Sequence, residues 1–243
     1  MSKNIFIAGK DFPSVSDLAD GFILRENTVV VASAAENAEN VPAGVKTVTW
    51  TRTSGVSARS AVIQAETEAG FADDFILYYD SLYFSEQFKD FSIENCAEAC
   101  DTLISSFQFL AIEILNRIKQ RKYKSRLIFA LKSHPSEKDL IVSPGLKNYV
   151  QNPSGPFVAT GEAAFATFAE NIAVLSAENE NLSVLLISGD EQNEVMQKDS
   201  TFAQWLTEYI NASDELKNKP TVKQATSWIK AGAKNPGGFS LFR

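Results

Sequence analysis

The sequence predicts a doubly wound α/β fold, with three α/β/α layers and a central parallel sheet of about six to seven strands. Short runs of β-branched and apolar residues alternate with longer amphipathic runs along the chain. The short runs are apolar on both faces, which is typical of a parallel sheet covered by helices on both sides. The length of 243 residues suits a single domain over 1–243 that buries a full core without disulfides or metal ions.

Six short runs are predicted to be buried strands because each is dense in Val, Ile, Leu or Phe. They are Asn4 to Ala8, Thr28 to Ala32, Thr47 to Thr51, Asp74 to Tyr79, Arg126 to Leu131 and Leu182 to Ile187. Apolar residues recur at helical spacing in Ser14 to Arg25, Ser57 to Ala69, Ile93 to Gln120 and Phe157 to Ala177. Helices between successive parallel strands imply right-handed crossovers.

The rest of the chain divides into a loop-rich insertion and a C-terminal region. Pro and Gly residues mark 132–155 as the insertion, with a short helix near Leu146 to Val150. Because such a connection borders the ligand crevice of an open α/β sheet, we interpret it as a lid or a plug. Beyond it we predict one helix through Phe202, Trp205, Leu206, Tyr209 and Ile210, another through Val222, Ala225, Trp228 and Ile229, and a last strand within Gly237 to Phe242.

The charge and hydropathy of the chain argue against nucleic-acid and membrane partners. A net charge of −7 and a pI near 4.9 do not suit a phosphate-binding surface, which needs clustered Lys and Arg. The basic stretch Arg117 to Lys124 is interpreted as a solvated helix end. The N-terminal apolar run is too short for a signal peptide, and no run reaches about 18 apolar residues. We therefore expect a cytoplasmic protein.

The cysteine and histidine residues that a zinc site would use are few. Cys96 and Cys100 lie four apart on a predicted helix, and the single histidine, His134, is distant from both in sequence. Two sulfur ligands are too few for a structural zinc site. We expect no metal, and we interpret the cysteines as reduced residues of the core.

The first strand and the turn that follows it resemble the start of a short-chain dehydrogenase/reductase. The run Asn4 to Gly9 matches the strand that enters the Gly-x-x-x-Gly-x-Gly turn of that family, and the element order is similar over nearly the whole chain. Of the three glycines only Gly9 is present, since Pro13 and Val15 take the other two places. Pro13 lacks an amide donor and Val15 would crowd a diphosphate. The resemblance implies a single Rossmann-like domain with a degenerate cofactor turn.

The catalytic and cofactor positions implied by the resemblance also differ from the family pattern. Val158 and Glu162 occupy the places of the Tyr-x-x-x-Lys pair, so the proton donor and its supporting ammonium are both replaced. Ser133 has the residue type of the family's catalytic serine, but we interpret it as a loop serine. After the second strand the family has an acid, but this chain has Ser33. After the fourth strand the family has small residues, but this chain has Tyr78, Tyr79 and Asp80.

These replacements lead to a pseudoenzyme hypothesis: a Rossmann-like scaffold or binding protein that holds no cofactor and acts through its surface or as an oligomer. The alternative is an NAD- or NADP-dependent oxidoreductase with a rearranged site at Tyr78, Tyr79, Asp80, Lys132 and Ser133. A third hypothesis is a module that binds another small ligand, with the tyrosines as stacking surfaces.

Two predicted helices carry more apolar surface than packing on one sheet requires. They are Ile93 to Gln120 and Phe157 to Ala177. In the family that the chain resembles, the equivalent helices pack against their copies. The resemblance therefore implies a homo-oligomer assembled through helices 93–120 and 157–177, while burial of the first helix beneath a loop is the alternative.

Overall fold

A seven-stranded, entirely parallel sheet forms the centre of the protein, in the strand order β3-β2-β1-β4-β5-β6-β7. The structure is a computed structural model that describes residues 2–34, 41–148, 150, 152–215 and 226–234. The strands are β1 Asn4–Ala8, β2 Thr28–Ser33, β3 Val45–Thr49, β4 Asp74–Asp80, β5 Ser125–Ser133, β6 Leu182–Asp190 and β7 Ile229–Lys230. This confirms the predicted α/β class and the doubly wound parallel sheet.

Helices cover both faces of the sheet. They are α1 Ser16–Ile23, α2 Gly55–Ala69, α3 Ser81–Gln87, α4 Ile93–Cys100, α5 Ser106–Arg121, α6 Glu137–Val142, α7 Pro156–Ser176 and α8 Asp199–Asp214. Ile5 and Ile7 of β1 pack on the α1 and α8 side, whereas Phe6 and Ala8 pack on the side of α2, α5 and α7. Alternate residues of a strand thus pack into two hydrophobic cores, one on each face of the sheet, as expected when helices cover both faces.

Several strand boundaries differ from the predicted ones because the hydrogen bonds between neighbouring strands determine where each strand ends. β1 begins and ends as predicted, but β3 lies two residues earlier than its apolar run suggested. Trp50 follows β3 and its amide donates to the carbonyl of Ser33, at the end of the pairing with β2. β5 and β6 extend further than predicted because they pair with each other as far as Ser133 and Asp190. Ser133 therefore ends a strand, and its interpretation as a loop serine was wrong.

The predicted helix from Ile93 to Gln120 is interrupted by one π-helical turn. That turn spans Asp101–Ser105 and connects α4 to α5 without a loop. α5 supplies Phe107, Leu110 and Ile114 to the core, whereas Ala99 is the buried residue of α4. Cys96 and Cys100 are both exposed, so their predicted place in the core was wrong. The reason is that α4 buries only Ala99 of its eight residues, where it packs against α7 and the π turn.

The C-terminal region contains a strand where a helix was predicted. The helix through Phe202 and Ile210 is present as α8, but Ile229 lies in β7, which pairs in parallel with β6. The amide of Ala231 continues this ladder by donating to Ser188, which favours an extended chain there. Val222, Ala225 and the strand predicted within 237–242 lie outside the described residues.

The insertion over 132–155 is more ordered than its Pro and Gly content suggested. α6 begins with a capping box between Ser136 and Asp139, and a 3-10 helix at Pro144–Asn148 lies slightly before the predicted short helix. His134 donates from Nε2 to the carbonyl of Asn152 at 2.7 Å, and its Nδ1 lies 2.9 Å from Glu191 after β6. These contacts hold the insertion against the carboxyl edge of the sheet.

In the described part of the chain, no helix has both the length and the apolar character needed to cross a bilayer.

Gly161 permits α7 to pack closely against β4 and the π turn. A Cβ at this position would lie 2.5 Å from the Tyr79 hydroxyl and 2.8 Å from Leu103 Cβ. Gly161→Ala should therefore lower the free energy of unfolding by about 1–3 kcal/mol through overpacking, although alanine gains about 1 kcal/mol in helix propensity. Urea denaturation measures this. Gly145→Ala is the matched control, because nothing lies within 4 Å of its Cβ position; equal stability of the two variants would contradict the prediction.

Candidate functional site

The carboxyl edge of the sheet, where an open α/β fold places its ligand crevice, is the candidate site. The turn after β1 crosses this edge beside β4. Gly9 has φ +141°, and a Cβ on it would lie 1.9 Å from the carbonyl oxygen of Tyr78. The one glycine that matches the glycine turn of the resembled family is therefore required by the close approach of two backbones of this chain.

The amides of the β1–α1 turn bond to acceptors within the protein. Val15 donates to the carbonyl of Asp11 at 3.1 Å, and Ser16 donates to that of Pro13 at 3.0 Å. The amides of Asp11 and Phe12 donate to the hydroxyls of Tyr83 and Ser33, at 3.1 and 3.4 Å. Pro13 has no amide hydrogen, and Val15 is fully buried among α1 side chains. The donors that could bind a diphosphate at this helix N-terminus are largely committed.

A buried ion cluster closes the edge between β1 and β4. Lys10 Nζ lies 2.9 Å from Asp80 Oδ2 and also bonds to Asp199 Oδ2. Tyr78 donates its hydroxyl to Asp199 Oδ1 at 3.0 Å, and its ring lies 4.9 Å from Lys10 Nζ. Lys132 Nζ approaches Asp80 at 3.9 Å, so two ammonium groups face two carboxylates. Each of these five residues is buried, so the charged groups are neutralised by one another and not by solvent.

The electrostatics of this cluster follow from its burial and its pairing. Burial alone would lower the pKa of Lys10, but Asp80 and Asp199 outweigh it and hold that pKa above its ordinary value. Burial, then the charge of Asp199, raises the pKa of Tyr78 far above its ordinary value. Lys10 therefore stays an ammonium and Tyr78 stays a phenol near neutral pH. The cluster keeps its protons and is poorly suited to transfer them.

A second cluster, around Asp11, connects the ends of the first three strands to α3. Its Oδ1 accepts from the amide of Ala34 at 2.9 Å and from Ser33 Oγ at 3.1 Å. Its Oδ2 lies 2.9 Å from Arg52 Nη2, which also donates to the carbonyl of Gly9 at 2.8 Å.

Arg52 and the paired Asp11 fill the crevice beside β2 and β3. The guanidinium carbon of Arg52 lies 4.6 Å from the Trp50 ring centroid. Burial would raise the pKa of Asp11, yet the charge and hydrogen bond of Arg52 hold it below its ordinary value. The Asp11 carboxylate is thus charged and occupied. The two side chains lie beside Ser33 at the end of β2, where the resemblance implies an acid that this chain lacks.

The two positions of the family's catalytic pair serve the packing of α7. Val158 is fully buried, and its carbonyl accepts from the Tyr79 hydroxyl at 2.9 Å. Glu162 accepts a hydrogen bond from Ser81 Oγ at 2.5 Å. Burial, followed by the charge of Glu162, raises the pKa of Tyr79 above its ordinary value. Val158 has no ionisable group, and the Tyr79 phenol stays protonated near neutral pH.

The structure brings together some of the predicted site residues and adds others. Gly9, Ser33, Tyr78 and Asp80 lie in or against the two clusters, whereas Pro13 is exposed. The sequence reasoning missed Lys10, Asp11, Asp199 and the ion pair of Arg52. Lys10 and Asp11 follow β1 directly, and polar residues at adjacent parallel strand ends converge, so this signal was available for them. Asp199 lies 189 residues from Lys10, and no local pattern indicates that contact.

The described side chains do not form a metal centre. Among the residues that the structure covers, His, Cys, Asp and Glu nowhere assemble in a group of three or more suited to hold a metal ion.

Comparison with solved structures relates the fold to short-chain dehydrogenases. A short-chain dehydrogenase from Mycobacterium smegmatis is 11% identical, with a TM-score of 0.63, and the match covers 96% of this chain and 93% of that one. A protein from Aeromonas hydrophila subsp. hydrophila, assigned to the short-chain dehydrogenase/reductase family, is 11% identical with a TM-score of 0.64, over 96% and 100% of the two chains. A short-chain dehydrogenase from Streptomyces avermitilis is 11% identical with a TM-score of 0.58, and the match covers 96% of this chain and 89% of that one.

At these identities the comparison establishes the fold. No protein-family model matches the sequence. No curated protein matches it either.

Lys10 can be tested as the residue that balances the buried carboxylates. Lys10→Met would leave Asp80 and Asp199 buried without that counter-ion, so the free energy of unfolding should fall by about 3–5 kcal/mol. Lys89→Met is the matched control, because the Lys89–Glu86 pair is solvent-exposed and should change stability by less than about 1 kcal/mol. Chemical denaturation of both variants measures the difference. A Lys10→Met cost as small as that of Lys89→Met would refute the role assigned to the cluster.

Proposed function

We propose that this chain, which has the fold of the short-chain dehydrogenases, is a non-catalytic scaffold that neither holds a nicotinamide cofactor nor transfers hydride. The observation that carries the proposal is the filling of the crevice by the chain itself. The amides of Asp11, Phe12, Val15 and Ser16 in the β1–α1 turn already donate to internal acceptors. The buried pair Lys10–Asp80 and the part-buried pair Asp11–Arg52 occupy the adjacent space.

The energetics support a closed crevice. Binding at a Kd of 1 μM is worth about 8 kcal/mol, whereas breaking a buried ion pair costs about 3–5 kcal/mol. A dinucleotide that displaced the buried Lys10–Asp80 pair would lose about 3–5 kcal/mol before making any new contact, and separating the part-buried Asp11–Arg52 pair would add to that loss. These losses are a large fraction of the free energy of micromolar binding, so the residues present do not fit the cofactor.

The chemistry at α7 supports the same conclusion. General acid–base catalysis contributes about 10²–10⁴-fold to a rate, and it needs a side chain whose pKa lies near the working pH. Val158 has no ionisable group, and Tyr79 is buried with its hydroxyl bonded to the Val158 carbonyl. The alternative oxidoreductase would use Tyr78, Asp80 and Lys132, but the first two are bonded within the ion cluster.

Cofactor titration separates the scaffold from the rearranged enzyme. NADH or NADPH added to the full chain should give no saturable change in tryptophan fluorescence or calorimetric heat up to millimolar concentration, because the turn has few donors left to bind a diphosphate. A catalytically active short-chain dehydrogenase measured in parallel is the positive control. Saturable binding in the micromolar range would instead support the oxidoreductase.

A second copy of the chain is the partner that the proposed scaffold would bind. Ile112 of α5 and Val174 and Leu175 of α7 are large apolar side chains that are 47%, 55% and 81% exposed. Both helices cover the same face of the sheet, so these exposed apolar residues lie on the same side of the protein. This placement supports the homo-oligomer predicted through helices 93–120 and 157–177.

The charges along the continuous helical segment 93–120, which contains α4, the π turn and α5, suit antiparallel pairing with the same segment of a second copy. Its N-terminal part carries the acidic residues Glu94, Glu98 and Asp101, while Lys119 and Lys122 lie at its other end. In an antiparallel pair, each acidic end lies opposite the basic end of the copy. A two-fold axis makes such an interface self-complementary.

Sedimentation analysis tests this assembly. The wild-type chain should sediment as a dimer or larger, and Ile112→Asp combined with Leu175→Asp should shift it toward the monomer, because each buried aspartate would lack a counter-ion. Ile141→Asp combined with Val142→Asp is the matched control, since that exposed apolar pair lies on α6 and belongs to neither α5 nor α7. A wild-type chain that stays monomeric at high concentration would exclude the interface.

A further inference from the structure

Cys96 and Cys100 form an exposed pair of thiols on α4. Residues four apart on an α-helix face the same side, with Cβ atoms about 5–6 Å apart. Slight burial, followed by the neighbouring Cys96 and Asp101, raises the pKa of Cys100, which keeps its thiol protonated near neutral pH.

The helix that carries the thiols is free to change locally. Ala99 is the buried residue of α4, so little core packing opposes a tightening of its last turn. The π turn Asp101–Ser105 follows directly, and its wider hydrogen-bonding register separates α4 from α5. A disulfide needs Cβ atoms about 3.5–4.5 Å apart, which requires an approach of about 1–2 Å from the usual helical spacing. Distortion of this short segment can supply that movement.

We propose that Cys96 and Cys100 are a redox-active dithiol that a peroxide oxidises to an intrahelical disulfide. In the first step the thiolate sulfur of one cysteine attacks a peroxide oxygen, the O–O bond breaks, and a sulfenic acid and one water form. In the second step the other sulfur displaces the hydroxyl of the sulfenic acid, which leaves as a second water while the S–S bond forms. The two thiols lose two electrons and two protons, and the peroxide takes up both.

This modification site is independent of the carboxyl-edge crevice. Neither cysteine belongs to the ion clusters, although both lie within the helix range 93–120 that the proposed dimer uses. Failure of the cofactor prediction would therefore leave the dithiol untouched, and failure of the dithiol would leave the cofactor prediction untouched.

Thiol counting and intact-mass measurement test the proposal. The reduced full chain treated with hydrogen peroxide should lose both maleimide-reactive thiols and two hydrogen atoms of mass, and dithiothreitol should restore both. Cys96→Ser and Cys100→Ser are the controls; both sites are exposed, so each variant should fold. Each should instead accumulate a sulfenic acid that dimedone traps. The proposal is overturned if the wild-type chain forms the same dimedone adduct as the variants, goes on to sulfinic acid, or links only to other chains.

Discussion

The ammonium of Lys10, held between the carboxylates of Asp80 and Asp199, is the interaction on which the carboxyl edge depends. It joins the turn after β1 to the end of β4 and to the first turn of α8. Buried charges are stable only when they are paired, so each of these three residues requires the others. The same edge is where an open α/β sheet ordinarily leaves room for a ligand. Here the stability of the fold and the closure of the crevice come from one set of contacts.

Asp11 makes a second set of paired charges at the same edge, beside β2 and β3. Its carboxylate accepts a backbone amide from Ala34 and pairs with Arg52, which lies against Trp50. Gly9 is required because its backbone touches that of Tyr78, so its match to the first turn glycine of the dehydrogenases carries no information about a cofactor. A residue that matches a cofactor-binding pattern can thus have a purely structural reason.

Sequence patterns predicted the architecture well because burial on two faces leaves a strong local signal. Continuous apolar runs identified six of the strands, and the three-to-four residue spacing identified α7 and α8. β7 was misread because two residues are too few to distinguish a strand from a helix. At the site, Tyr78 and Asp80 were found from their place at a strand end. Asp199 was not, because its contact with Lys10 depends on how α8 packs.

Amide hydrogen exchange of the turn from Asp11 to Ser16 tests the central claim most directly, because that claim concerns where these amides donate. We expect the amides of Asp11, Phe12, Val15 and Ser16 to be protected in the free protein, since each has an internal acceptor. Millimolar NADH should leave their exchange unchanged. Rapid exchange in the free protein, followed by protection when NADH is added, would show an open cradle for the cofactor and would contradict the account.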